Sequence, residues 1–277
     1  MTSQSKEYVE PLPSAETDVR SAARRISGAV VARVTKPFRE ISKKVHRLRV
    51  IYYNPELYSL YLYDSTGSEP DEYNKWYFNK LVWHETTWMG IECYKSVSDM
   101  WNYQEILHAQ KPALVIEFGT FCGGSARFFA SVMREIGQPF KILSVDIDHA
   151  RLKPEAQQDP DVIFMESSST ADAVADRIRA LKKEYPGKIF AILDSDHSKD
   201  HVLAEMKALR PLLSAGDYLV VEDSVLNGHP VAPGWGPGPY EAIEAYEAEF
   251  PNDYIHDQER EEKFGWTWAP RGYLVRR

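Results

Sequence analysis

Apolar residues in the second half of this 277-residue chain gather into short runs that no polar residue interrupts. Two of them, Phe190-Ala191-Ile192-Leu193 and Tyr218-Leu219-Val220-Val221, end in acid: Asp194-Ser195-Asp196-His197 follows the first and Glu222-Asp223-Ser224 the second. Short unbroken runs of this kind read as central parallel strands buried on both faces. From residue 112 onward they alternate with helical periodicity. Strands are expected at 113–118, 141–145, 161–165, 188–193 and 217–221, and helices at 124–136, 171–184, 200–213 and 240–249. That alternation predicts an α/β fold with a doubly wound, mostly parallel sheet. The short run at 253–255 and the segment 264–277 are expected as an antiparallel edge.

Upstream the pattern is looser. Residues 1–15 are polar, and 15–50 carry a partial apolar stripe (Val19, Ala22, Ile26, Val30, Val31, Val34) that Pro37 interrupts. Residues 51–104 are crowded with tyrosine and tryptophan, which either pack over the core or line a substrate pocket. Helix signals return at Ser98-Asp99. The expected organisation is therefore a basic helical extension over 1–50, an aromatic-rich helical cap over 51–110 and a ligand-binding core over 111–277.

Charge sharpens the division. The net charge is −8, yet residues 1–50 hold eleven Lys or Arg against five Asp or Glu, which leaves −14 on the remainder. A body that acidic is not expected to bind nucleic acid. The basic segment suits assembly with a neighbouring subunit or contact with anionic lipid. No run of eighteen apolar residues and no apolar leader is present, so neither a membrane span nor a secretory signal is expected. Cys93 and Cys122 give neither zinc spacing nor a disulfide framework, in keeping with a cytoplasmic protein.

Ligands of doubly wound sheets collect at the carboxyl ends of the strands, where Asp194, Asp196, Glu222 and Asp223 fall. With few basic neighbours these acids would repel one another unless protons or a cation intervened, and a hard cation such as Mg2+ answers the need. The competing reading is that they cap the following helices. The first strand runs through Glu117 into a glycine turn, Gly119-Thr120-Phe121-Cys122-Gly123-Gly124-Ser125. Gly119 permits the turn, and Gly123 and Gly124 would let a ligand approach the backbone. The second strand ends at Asp146, placed to bind ribose hydroxyls. Glu117 is ill suited to pyrophosphate but well suited to an amino group. Adenosine, an ammonium and a sulfonium without phosphate describe S-adenosylmethionine. An NAD-dependent dehydrogenase fits less well, because no strict dinucleotide fingerprint follows the strand.

The strings IEFGTFCGGS, LSVDID, ILDSDHS and LVVEDS resemble the metal-dependent class I O-methyltransferases, the group that includes catechol O-methyltransferase. More narrowly, Trp88-Met89-Gly90-Ile91 through Asp99, Trp101 and Tyr103-Gln104-Glu105, with the DSDH element and the terminal Pro270 to Arg277, resemble the cephalosporin hydroxylase and rhamnosyl O-methyltransferase family. The resemblance covers roughly residues 83 to 277. It implies a Rossmann-like methyltransferase fold, S-adenosylmethionine and Mg2+ as cofactors, a hydroxylated glycoside or natural product such as an antibiotic precursor as acceptor, and a homo-oligomer. It places Glu117, Gly119, Phe121 and Ser125 around the methionine part of the donor, Asp146 at the ribose, and Ser167 and Ser168 near the adenine. For the metal it implies Asp196, Glu222 and Asp223, leaving Asp194 to face the cofactor. The broader group would instead put Asp194 on the metal. His197 is the expected base, with Lys199 and His229 as rivals. Two alternatives stand beside methyl transfer: a same-fold enzyme that assists oxidation or rearrangement, and a non-catalytic scaffolding subunit.

Overall fold

The computed structural model describes residues 69–277, so the expectations for the basic extension and for the first part of the aromatic segment lie outside the described residues. The body that contains them runs from Gly67 to Arg277. Its elements in chain order are α1 (Glu69–Asn79), a short hairpin of β1 (Thr87–Trp88) and β2 (Ile91–Glu92), α2 (Val97–Gln110), β3 (Leu114–Phe118), α3 (Gly124–Ile136), β4 (Lys141–Asp146), α4 (Pro154–Gln157) and β5 (Val162–Glu166). There follow α5 (Asp172–Glu184), β6 (Ile189–Leu193), α6 (Lys199–Leu209), β7 (Tyr218–Val221), α7 (Pro239–Glu249), β8 (Tyr254–His256), α8 (Gln258–Glu262) and β9 (Tyr273–Arg276).

Period-two alternation builds the sheet. In β3, β6 and β7 the side chains of Leu114, Ile116, Phe118, Ile189, Ala191, Leu193, Leu219 and Val221 enter one apolar cluster. Val115, Phe190, Ile192, Tyr218 and Val220 enter the other. Helices α5, α6 and α7 cover the first face and α2 with α3 the second, so both faces are dry. The seven-stranded order is β5-β4-β3-β6-β7-β9-β8, parallel from β5 to β7. The antiparallel pair at the end has β9 inserted against β7 and β8 as the outer strand. The chain leaves β3 toward β4 and β5, then returns to lay β6 on the other side of β3. The crevice at that reversal is where such sheets bind ligands.

Most boundaries fall within one residue of expectation; the larger shift is in α6. Helix α6 stops at Leu209 rather than 213 because Pro211 supplies no N–H, and the chain turns there with the Leu212 and Leu213 amides bonded to the Leu209 carbonyl. Helix α2 begins at Val97 after Ser96, so Asp99 is not its cap. Asp99 is buried and accepts hydrogen bonds from Thr267 Oγ1, the Trp268 amide and Tyr273 OH, pinning the C-terminal segment to α2.

Candidate active site

The carboxyl ends of β3 to β7 open into a cavity of about 710 Å3. Its floor is the turn after β3. Gly119 has φ +100, and a Cβ there would meet the Asp194 carbonyl oxygen at 1.8 Å, so only glycine lets the turn lie against the end of β6. Gly123 and Gly124 have a different reason from the one expected: a Cβ on the first would strike Ala156 at 2.6 Å and on the second the Glu92 carbonyl at 2.3 Å. They admit α4 and the β1–β2 hairpin, and Gly124 also lines the cavity. Asp146 organises the same turn, its Oδ2 accepting the amides of Thr120 at 2.8 Å and Phe121 at 2.9 Å. It lines the cavity together with Phe121, Ser125, Ser167 and Ser168.

Glu117 lies beneath, fully buried on β3. Its Oε2 accepts from Ser144 Oγ at 2.6 Å, while Oε1 has no partner among the described residues. Burial pushes this carboxyl up to about 7, against the nearby Lys95 and the hydroxyls of Ser125 and Ser144. A buried acid with an orphaned oxygen beside a glycine turn suits the ammonium of a small ligand.

The acids after β6 and β7 surround a residue that sequence reading missed. Lys95, in the loop between β2 and α2, is only 2% exposed and directs its ammonium to Asp194 Oδ2 at 2.6 Å and Glu222 Oε1 at 3.1 Å. Tyr103 OH also donates to Glu222 Oε1 at 2.5 Å. Part of the cation demanded by the acidic rim is therefore built into the chain. Burial disfavours the ammonium, but Asp194, Glu222 and Glu117 outweigh it and hold the Lys95 pKa well above its usual value. Burial likewise raises the carboxyls of Asp194 and Asp223, and Glu222 to about 7. One lysine does not neutralise them all.

In this structure Asp194, His197 and Asp223 converge, with one ligand atom from each lying within 4.8 Å of the others. His197 Nε2 stands 3.4 Å from Asp223 Oδ2. Burial opposes the charged imidazole, but Asp223, Asp194, Glu222 and Asp196 raise its pKa overall. Asp223 holds φ +55, a left-handed conformation uncommon outside glycine, at the end of β7. Asp196 also lines the cavity but is exposed, and its Oδ1 accepts the Ser198 amide at 2.7 Å just before α6. Of the other two candidate bases, neither is among the residues lining the cavity. The Lys199 amide donates to the Pro237 carbonyl, and His229 pairs with Glu241 and stacks on Tyr240.

Ser195 and His201 line the cavity and share buried Glu205 Oε1, at 2.6 and 3.1 Å. Ser169 Oγ reaches the same His201 nitrogen at 3.2 Å, so the group is not a serine–histidine–acid relay, which needs both imidazole nitrogens. Phe78, Trp83, Leu226, Trp235 and Trp268 wall the side of the cavity beyond His197.

A doubly wound sheet with an antiparallel end and an acid-ringed glycine turn at its switch point defines the Rossmann-like methyltransferase class. The family model described as Rhamnosyl O-methyltransferase/CmcI matches residues 80–277, and the chain belongs to that family. It is an S-adenosylmethionine-dependent O-methyltransferase. It is 70% identical over 214 residues to the rhamnosyl O-methyltransferase of Mycobacterium tuberculosis H37Rv, covering 77% of this chain and 87% of that protein. The namesake from Mycobacterium leprae is 68% identical over 216 residues, 78% of this chain and 94% of that one. Among solved structures, apo CmcI superposes with a TM-score of 0.57 at 21% identity, over 70% of this chain and 76% of that chain. CmcI with magnesium and S-adenosylmethionine gives 0.54 at 19%, over 70% and 77%. These two show the fold.

Proposed function

We propose that the protein transfers a methyl group from S-adenosylmethionine to a hydroxyl of a rhamnose-bearing or related polyhydroxylated natural product, with Mg2+ bound at the acidic rim. The observation that carries this reading is one cavity lined both by the glycine turn, beneath which Glu117 lies buried, and by the converging Asp194, His197 and Asp223. The family relatives carry a rhamnosyl acceptor in their names, which directs the choice of sugar.

The donor set suits a hard dication through its oxygens. Mg2+ prefers carboxylates and water to imidazole, so Asp194 and Asp223 would hold it and His197 would not. When bound, the ion lowers the pKa of an acceptor hydroxyl and orients its oxygen. Every other task falls to the chain. Glu117 and Asp146 bind the donor at its amino and ribose ends. Lys95 holds Asp194 and Glu222 in place through its ammonium. His197, with Nε2 3.4 Å from Asp223 Oδ2, would take the proton of the acceptor hydroxyl on its imidazole. Glu222, taken by Lys95 and Tyr103, and Asp196, turned to Ser198, stand behind this arrangement in support. Homo-oligomeric assembly is part of the same proposal and is checked by sedimentation.

The test is calorimetric titration of S-adenosylmethionine with Mg2+ and with chelator, followed by mass analysis of rhamnosides incubated with the enzyme. Saturable binding and a singly methylated rhamnoside that depends on Mg2+ are expected. Binding without any methylated product would sink the proposed acceptor. In the same titration Asp194→Asn should abolish Mg2+ binding and Asp196→Asn should leave it, and the opposite result would move the metal to the Asp196 register.

A further inference from the structure

Residues 222–238 join β7 to α7, and from 227 onward this loop is rich in proline and glycine. Loops of that composition read as lids, but this one is fastened along its length. Glu241, in the first turn of α7, accepts from Asn227 Nδ2 at 2.8 Å through Oε1 and from the Gly238 amide at 2.7 Å through Oε2, clasping both ends of the loop. Asn227 Oδ1 in turn accepts the Gly236 amide at 3.2 Å. The Trp235 amide donates to the Ala232 carbonyl at 3.0 Å, and the Pro237 carbonyl accepts the Lys199 amide, also at 3.0 Å. Asn227 at φ +58 and Ala232 at φ +47 hold left-handed conformations that the bonded frame must sustain.

What the frame presents is one side chain. Trp235 is 53% exposed although it sits in the cavity wall, and its ring centroid lies 6.4 Å from that of His197. An indole so exposed gains little from the fold. Ordered backbone bonds on both sides fix its position, so a ligand that covers it gains burial with little ordering cost. The neighbouring His197 marks where the attacked hydroxyl must lie.

We infer that Trp235 is the acceptor-positioning platform, stacking on the apolar face of the sugar ring that carries the attacked hydroxyl. This rests on the sugar-acceptor reading above and adds to it the residue that sets acceptor affinity. The flat indole face matches the row of C–H groups on one side of a pyranose, and the polar edge of the sugar is left to His197 and the rim.

The experiment compares the unmodified enzyme with Trp235→Ala and Trp235→Phe, using methyl rhamnoside and p-nitrophenyl rhamnoside as acceptors, with donor affinity measured by calorimetry. Trp235→Ala should raise KM for both acceptors by roughly tenfold, with kcat reduced less than threefold and donor Kd unchanged. Trp235→Phe should restore KM to within about threefold. An unchanged melting temperature in both variants is expected from the exposure of the ring. An effect on the aryl glycoside alone would show that the ring meets the aglycone and overturn the platform. Equal KM in Trp235→Ala and the parent would overturn it while leaving the sugar reading intact. Absence of turnover of either rhamnoside by the parent enzyme would instead remove the sugar reading on which it stands.

Discussion

Two of the places in this body where acids meet basic side chains differ in how the charge balances. At the rim, Glu117, Asp194, Glu222 and Asp223 share Lys95 and His197, and burial raises all four carboxyls. At the far edge of the sheet a single acid, Asp253, meets Arg210 Nε at 2.7 Å, Arg276 Nη1 at 2.9 Å and Tyr246 OH at 2.8 Å. There burial works to raise the carboxyl, but the two guanidinium groups and the phenol hold it down at about 2. The edge cluster is saturated and serves to fasten the C-terminal strands. Among the described residues the rim is short of positive charge, which is the condition for receiving a dication and a sulfonium.

The sharpest way to break this contrast is to remove rim charge without removing shape. Asp223→Asn keeps the size of the side chain, and asparagine tolerates the left-handed backbone at that position. Turnover of a rhamnoside should fall by about 10³-fold or more, with the melting temperature nearly unchanged. A variant with at least a tenth of parental turnover would show that Asp223 holds neither metal nor His197.

Taking the cation instead of the acid should strike stability. Lys95→Met leaves Asp194 and Glu222 facing each other at the end of the parallel strands with no ammonium between them. Loss of one partner from a buried pair costs about 3–5 kcal/mol, read from the urea midpoint. Adding Glu222→Gln should recover part of it, because the two positions are coupled. Additive losses would mean that Lys95 acts through packing alone.

His197→Gln tests the proton step inside the same rim. A drop of about 10²-fold in kcat with KM for donor and acceptor little changed is expected. Unchanged kcat under saturating substrates would send the base role elsewhere.

What the chain disclosed in advance follows the same division between local and distant causes. Helix α3 was legible because Phe128, Phe129 and Met133 recur on one face and glycine stands at both ends. The parallel strands were legible because they are apolar on both faces, and the rim because each strand runs directly into acid. Lys95 was not. It lies 99 residues from Asp194 and 127 from Glu222 in sequence, and no local period marks a lysine that folding will bury. Its only trace was indirect, in the unbalanced acid at the strand ends. Asp99 marked the first turn of α2, but its burial was not legible, because an exposed acid and a buried one look alike until the C-terminal segment folds over them. Trp235 was one aromatic among many, and only the clasp at Glu241 sets it apart.

The edge cluster offers the smallest effect and the cleanest sign. Asp253 has a folded pKa of about 2, below the value of about 4 for an unfolded aspartate. The stability it contributes is therefore complete above pH 4 and is lost as pH falls from 4 toward 2. Glu222 runs the other way: raised to about 7, it favours the folded state below its ordinary value and withdraws that support as pH climbs through 7. Asp253→Asn should cost about 1–2 kcal/mol at neutral pH, a modest figure because Arg210 is itself well exposed to solvent. The difference between variant and parent should shrink as the medium is acidified from pH 4 to pH 2, followed by thermal melts at fixed ionic strength. A gap that stayed constant over that range would assign the loss to packing of Asp253 against Tyr246 and Arg276, and the saturated charge of this cluster would no longer explain its contrast with the rim.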